Sequence, residues 1–411
     1  AIELIRMVVD QIQLGQPLPF GVRDEQGKLL LAKGRVVATE GQLEILRERG
    51  LYADHDDDSG ETAAGGTANR RLTLFDLWKQ TTARLDLLLA GVPVAGFPAR
   101  CDSFAGQLMQ LTDRDPDIGI YLSMRQDPNR LSLYGLAHAL HCALVCQLAA
   151  RRAGWPDERV RRLVKAALTM NLSIVEVQGR FATMGRLNDT QRAQIRAHPQ
   201  AAHDALQAAG VDDAEWLQAV LQHHEQPGGG GYPSRSSDIG EMALLLRMAD
   251  VFMAKISPRT ERPAMPIQDA ARQLYAEAKT HPQAGVLAAA IIKEYGIYPP
   301  GNFVQLASGE TAVVIRRGAT AHTPVAAAVT DKNGIPVVRT VRRNTAEPAH
   351  AIKGLVAENK MLLRVPPERL YGLVDERLLT LRADFGAAAG AGATAAGAYT
   401  RSRSARLIDG M

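Results

Sequence analysis

Leu221-Gln-His-His-Glu-Gln-Pro-Gly-Gly-Gly-Gly-Tyr-Pro233 closes an apolar helical pattern with two adjacent histidines and then breaks into four consecutive glycines. Neighbouring residues on a helix project about 100° apart. His223 and His224 are therefore expected to diverge, to be unable to enter the same packed core together, and to suit two adjacent subsites. The glycines lose backbone entropy on ordering, but they let a ligand or another segment come close to the main chain. Taken alone, the stretch also fits a surface helix end followed by a flexible loop, so its surroundings decide the reading.

Outward from this stretch the periodicity is helical almost throughout, from about Leu72 to Tyr298. Leu72 to Leu89 is amphipathic, and Tyr134 to Arg152 is strongly apolar with small residues suited to close packing. Glu158 to Leu172, Thr190 to Ala209 and Asp213 to His224 repeat the helical spacing of apolar positions. Glu241 to Ile256 is nearly apolar all round, which predicts a buried central helix. Asp250 is the anomaly within it. A buried carboxylate needs a cation, a metal or several donors; pairing with Arg247 or Lys255 at the helix surface is the plainer alternative.

The flanks read differently. Residues 1–53 form a small α+β N-terminal unit: a hairpin around Asp24-Glu-Gln-Gly27, then a helix with the capping box Thr39/Gln42 and a stop at Gly50. Residues 54–70 are polar, acidic and glycine-rich, a linker. The helical domain runs over 71–299. From 300 to 383 the period shifts towards two, with hairpin signals at Ser308-Gly-Glu310 and Asn333-Gly334, giving a small β-rich C-terminal extension. Residues 384–411 are a low-complexity tail rich in Ala and Gly. The fold class is mainly α.

Composition removes several functions. A net charge of +4 over 411 residues, with no dense Lys/Arg run, does not indicate nucleic-acid binding. Cys101, Cys142 and Cys146 are too few for a disulfide framework, and Cys142 and Cys146, one helical turn apart on an apolar face, read as core thiols in a reducing cytosol. No signal-peptide pattern opens the sequence and no apolar run approaches the length of a membrane span, so a soluble, cytoplasmic protein is expected. Trp155 and Trp216 are read as core and hinge anchors; His141, His203 and His281 as surface or packing residues.

The ligand candidates are His138, His198, His223, His224 and Asp250, on different predicted helices apart from the adjacent pair. Histidines converging with a carboxylate inside a bundle are how helical proteins build metal sites. Their order and context resemble the HD-GYP family, the bacterial branch of the HD phosphohydrolases that degrades cyclic di-GMP. The residues carrying the resemblance are Ala137-His-Ala139, Arg186-Leu-Asn188 followed by His198-Pro, His223-His-Glu225, Gly231-Tyr-Pro233, Ala249-Asp-Val251 and Ser257-Pro-Arg259-Thr-Glu-Arg262. They cover about residues 130 to 280. The resemblance implies an HD-type helical bundle, metal ligation by the five ligand candidates, and nucleotide contact by Gly230, Gly231, Tyr232, Pro233, Arg259 and Arg262. Tyr298 to Glu310 also resembles the family's C-terminal extension, and the N-terminal unit looks like one often joined to such domains.

The departures fall on the signature itself. Where the family carries His-Asp-x-Gly-Lys, this chain reads Met170-Asn-Leu-Ser-Ile174, so the catalytic positions hold Met170, Asn171 and Ile174. An acidic residue of some members falls on Tyr134, and the Asp ahead of Gly-x-Gly-Tyr-Pro falls on Gly228. Hydrolysis by a two-metal site needs both ions held close and sharing a bridge. Asn171 carries no charge to bridge them, and Met170 is a weak, soft ligand. Neutral histidines with one carboxylate leave two dications under-neutralised. The expectation is one divalent ion, Fe, Mn or Zn, on His198, His223 and His224, or no ion at all, with His138 and Asp250 alone a poor site. The function expected is a degenerate HD-GYP signalling module, a non-catalytic cyclic di-GMP sensor or a protein-docking module. The alternative is a phosphodiesterase with residual activity from an altered metal site. The implied partners are cyclic di-GMP or its hydrolysis product, diguanylate cyclase domains or response regulators; a homodimer is compatible.

Overall fold

In the computed structural model the described residues are 73–92, 95–126, 133–183, 187–259, 263–279, 281–356 and 367–372, with Val36 and four short strands ahead of them. Those strands, β1 (Leu4–Arg6), β2 (Gly21–Arg23), β3 (Leu29–Leu31) and β4 (Tyr52–Asp54), make an antiparallel sheet in the order β1-β4-β2-β3. The hairpin expected around Asp24 is the β2–β3 pair. The helix expected over 39–50, the linker beyond Asp54 and the C-terminal tail lie outside the described residues.

The helical part comprises α1 (Leu74–Ala90), α2 (Phe97–Arg114), α3 (Pro116–Met124), α4 (Tyr134–Arg152), α5 (Asp157–Thr169), α6 (Val175–Thr183), α7 (Asp189–Ala208), α8 (Ala214–Gln222), α9 (Glu241–Ile256), α10 (Ile267–Ala278) and α11 (Pro282–Tyr295). It is organised on α4, which packs against α5, α9, α11 and α6. Leu136, Leu140, Leu144 and Val145 are buried together with Ala139, Cys142, Ala143, Cys146 and Ala149, so α4 presents apolar surface all round. Such a helix is stable only at the centre of a core. Its small residues let neighbours approach: a Cβ at Gly135 would meet the Val175 carbonyl oxygen of α6 at 2.6 Å. Arg151 and Arg152 in the last turn complement the helix dipole and pair with Asp113, Asp157 and Glu294.

The second buried helix, α9, has the bounds its apolar pattern predicts. Other ends shift. The pattern from Glu158 suggested a helix to Leu172, but α5 stops at Thr169, whose hydroxyl turns back onto the Lys165 carbonyl and also receives the Trp216 indole hydrogen bond. Trp216 is fully buried, and Trp155 lies beneath the Arg159 guanidinium at 4.0 Å, so both tryptophans serve packing.

Beyond α11 come β5 (Phe303–Leu306), β6 (Thr311–Arg316), β7 (Val325–Thr330), β8 (Pro336–Asn344) and β9 (Ile352–Leu355), antiparallel in the order β8-β7-β6-β5-β9, followed by α12 (Pro367–Gly372). Alternation sorts the strands' residues. Phe303, Val313, Ile315, Ala327 and Val329 join the helical core, while Val304, Leu306, Ala312, Val314, Ala326 and Ala328 form a second apolar cluster on the other face. Arg316 pairs with Asp115 at the α2–α3 junction, and Arg317 reaches both Asp117 of α3 and Glu294 of α11.

Arg317 thus clamps the sheet to two helices through carboxylates that are largely buried. Burial raises the Asp117 carboxyl even with this guanidinium beside it. Replacing Arg317 with Met strands Asp117 and leaves Glu294 with Arg152 alone, and is expected to cost about 2–4 kcal/mol in chemical denaturation at neutral pH. The loss should narrow as the pH falls through the carboxylate range, because a protonated acid no longer needs the cation.

Candidate metal and nucleotide site

Helix ends and helix faces from α4 to α9 converge on one cavity of about 380 Å³. Tyr134 and His138 come from α4, Asn171 and Ile174 from the turn after α5, His198 from α7, His224 and Tyr232 from the segment after α8, Asp250 from α9, and Arg259 from just beyond α9. Gln178, Phe181 and Ile195 also line the cavity. Sequence reasoning gave these three no role, and periodicity alone could not, since they show only as ordinary helix positions.

The histidine geometry is specific. His198 Nδ1 lies 2.5 Å from the Ile195 carbonyl, and His223 Nδ1 lies 2.6 Å from the Val220 carbonyl. A carbonyl only accepts, so each Nδ1 carries the hydrogen and each neutral ring keeps its lone pair on Nε2. Those two Nε2 atoms face each other at 3.0 Å. Two lone pairs at that distance repel unless a cation shares them. Burial lowers the proton affinity of both rings, His198 to about 3, so a proton is a poor candidate for that cation near neutrality. Burial likewise holds His224 well below its ordinary value. Neutral imidazoles with Nδ1–H fixed on a carbonyl are the ligand form that divalent metals take, and ligand atoms of His198, His223 and His224 lie within 4.8 Å of one another. The donor set fits an ion.

This corrects the expected divergence of His223 and His224. The helix ends at Gln222, so the angular step of a continuing helix does not apply to the second histidine. Both rings meet His198, with centroids 5.0 and 4.9 Å away, and they lie 4.2 Å from each other.

Asp250 does not pair with Arg247 or Lys255. Its Oδ1 lies 2.7 Å from His138 Nε2, its Oδ2 3.9 Å from His224 Nδ1, and Lys255 turns to Glu277. Burial alone would raise this carboxyl, but the His138 hydrogen bond and the neighbouring histidines hold it well below the usual carboxylate range. Cys142, read from the sequence as a core thiol, is buried as expected, yet its Sγ lies 3.4 Å from His138 Nε2. The signal for it was legible: Cys142 follows His138 by one helical turn on the same face.

The glycine loop serves itself. A Cβ at Gly231 would meet the Glu225 Cα and the His224 carbonyl oxygen at 2.4 Å, so only glycine lets the loop fold back on the helix end. Gly229 and Tyr232 donate their amides to Gln226 and His224 carbonyls, and buried Glu225 accepts from the Ser234 amide. Tyr232 stacks on His224 at 4.6 Å. Of the expected nucleotide contacts, Tyr232 and Arg259 line the cavity, Gly231 is buried under the turn, Gly230 is exposed, Pro233 is half-buried, and Arg262 lies outside the described residues.

The remaining wall carries donors. Arg259 lies over the Tyr134 ring at 5.3 Å and donates to its hydroxyl at 3.1 Å, while Tyr134 stacks on His138 at 5.6 Å. Arg259 Nε and Asn171 Nδ2 are both buried with no hydrogen-bond partner among the described residues. Met170 lies in the core and Ile174 on the cavity wall. His141 is fully buried, and burial lowers it to about 3.

A helical bundle that gathers histidines from successive helices around an aspartate is a metal-site architecture. Residues 129–283 match the family model of the HD domain. It is 31% identical over 185 residues to a cyclic di-GMP phosphodiesterase of Pseudomonas aeruginosa, an alignment covering 43% of this chain and 44% of that relative. The chain therefore spans less than half the length of this relative. A solved HDG"Y"P protein of Bdellovibrio bacteriovorus superposes with a TM-score of 0.45 at 14% identity, over 72% of this chain and all of that one. No described helix is long and apolar enough to cross a membrane.

Two outcomes follow from the geometry. The three neutral histidines bind protons more weakly folded than unfolded, where the ordinary value is about 6.5. The unfolded state thus takes up more protons below that pH, and stability falls on acidification from there towards about 3 for His198. Each ring contributes on the order of 1 kcal/mol per pH unit. Chelator-treated protein denatured chemically between about pH 7.5 and about pH 5 should show this slope, and His198→Asn should flatten it. Gly231→Ala should displace the loop, with a loss of about 2 kcal/mol or more from the steric clash and weaker metal retention by elemental analysis.

Proposed function

We propose that this chain is a degenerate HD-GYP-type signalling protein that binds cyclic di-GMP in the cavity and does not hydrolyse it by two-metal chemistry. The observation that carries this reading is the pair of buried, unpartnered donors, Asn171 Nδ2 and Arg259 Nε, on the wall where a hydrolase of this type would set charged residues. Buried donors left unpaired cost free energy, and a phosphodiester supplies the acceptors they lack. Arg259 suits a phosphate because its guanidinium presents several donors in one plane. Tyr232, held against His224 and half-buried, offers a ring face for a base. His198, His223 and His224 would hold one divalent ion. When bound, such an ion supplies a positive charge and an open position for an oxygen ligand.

Asn171 supports the absence of efficient turnover. An amide can donate to a phosphate oxygen, but it cannot place a negative charge between two cations. Ile174 brings no cation to the phosphate. The second reading, residual phosphodiesterase activity, is favoured by one feature, the trihistidine cluster, because an ion with an open position can activate water.

Calorimetric titration with cyclic di-GMP should show binding, and Arg259→Met should weaken it at least about tenfold, the scale of one lost charge-assisted contact. The double variant Met170→His/Asn171→Asp should hydrolyse the nucleotide faster than the wild type. Equal rates in both would sink the non-catalytic reading in favour of the phosphodiesterase. Absence of any nucleotide binding would leave protein docking, with a diguanylate cyclase domain or a response regulator, as the role of this domain.

A further inference from the structure

Weighed from the sequence, His138 and Asp250 made a poor metal site because they offered two donors and one negative charge. The structure brings in Cys142. Its Sγ lies 3.4 Å from His138 Nε2, Asp250 Oδ1 lies 2.7 Å from the same nitrogen, and donor atoms of all three residues lie within 4.8 Å of one another. The cysteine is fully buried, and the histidine and aspartate nearly so. We propose that His138, Cys142 and Asp250 form a second, sulfur-containing site for a thiophilic divalent ion of the zinc class, distinct from the trihistidine cluster. This site stands independently of the cyclic di-GMP reading.

The donor set selects the ion. Zinc bonds of about 2.0 Å to nitrogen and about 2.3 Å to sulfur, at a tetrahedral angle, set those two atoms about 3.5 Å apart. The sulfur–nitrogen separation already has this value, and the His138–Asp250 pair needs to open by about half an ångström. Thiolate and imidazole favour zinc-like ions, whereas magnesium and calcium take oxygen ligands.

The atoms balance. The Cys142 S–H bond breaks as the sulfur–metal bond forms, and that proton leaves to solvent. His138 moves its proton from Nε2 to Nδ1, a buried atom with no partner among the described residues. Thiolate and carboxylate together cancel the charge of a dication. An ion neutralised in this way is a weak Lewis acid, so it ties α4 to α9 and leaves water activation to any ion on the three histidines.

Cobalt(II) reports the sulfur directly, because a thiolate bound to it adds a charge-transfer absorption in the near ultraviolet that histidine and carboxylate ligands do not. Full-length protein stripped with a chelator and loaded with cobalt should show the band. Cys142→Ser should abolish it and lower the bound metal by one ion per chain, while Cys146→Ser should keep both. Circular dichroism checks that each variant is folded. X-ray absorption of the zinc-loaded wild type, which needs no variant, should show a sulfur neighbour at about 2.3 Å. A first shell of nitrogen and oxygen only, or a cobalt band that survives in folded Cys142→Ser, overturns the proposal. Titrating the same samples with cyclic di-GMP keeps the two readings apart: Cys142→Ser should still bind the nucleotide.

Discussion

Two carbonyl groups set the geometry of the histidine cluster. Ile195 and Val220 each accept a hydrogen bond from the Nδ1 of a histidine three residues further on, His198 and His223. Each bond fixes a ring and its tautomer, and the two fixed rings then aim lone pairs at each other across 3.0 Å. Neither ring can turn away without leaving a buried N–H unpaired, which costs about as much as the contact relieves. The repulsion is thus built into the local backbone of α7 and of the end of α8.

Holding such an arrangement requires a rigid surround, and α4 supplies it. A helix buried on every side fixes the positions of all that packs against it, because interiors as dense as crystals have little room to relax. Gly135 brings α6 and the turn before it close to α4, and that turn carries Asn171 and Ile174. The clamp made by Arg317 ties the C-terminal sheet to α3 and α11, and α11 packs on α4. The helices that carry the site and the sheet therefore share one core, to which the strands contribute Phe303, Val313 and Ile315.

Much of this was legible in the sequence, for identifiable reasons. The bounds of α4 and α9 follow from apolar patterns that persist on all faces, and Ser308-Gly-Glu310 marked its hairpin because turn chemistry is local. The match of residues 129–283 to the HD domain agrees with the resemblance read from scattered motifs. What escaped was three-dimensional. Adjacent histidines diverge on a helix, yet His223 and His224 converge, because the chain leaves the helix between them. Asp250 has cations nearby in sequence, but its partner is His138, on a helix far away in the chain. Cys142 looked like packing because a cysteine in an apolar run usually is, and only the fold puts Asp250 across from it.

Among the described residues a single carboxylate, Asp250, lines the cavity. Cleavage of a phosphodiester builds negative charge on the phosphate as bonds change, and a hydrolase answers with two cations gathered by carboxylates at that point. Here the wall carries an amide, Asn171, and the carboxylate Asp250 is held by His138. A guanidinium, Arg259, and two phenol rings, Tyr134 and Tyr232, line the same cavity. An amide at the Asn171 position can donate a hydrogen bond, but it cannot share a negative charge between two cations, so a two-metal arrangement would lack its bridge there.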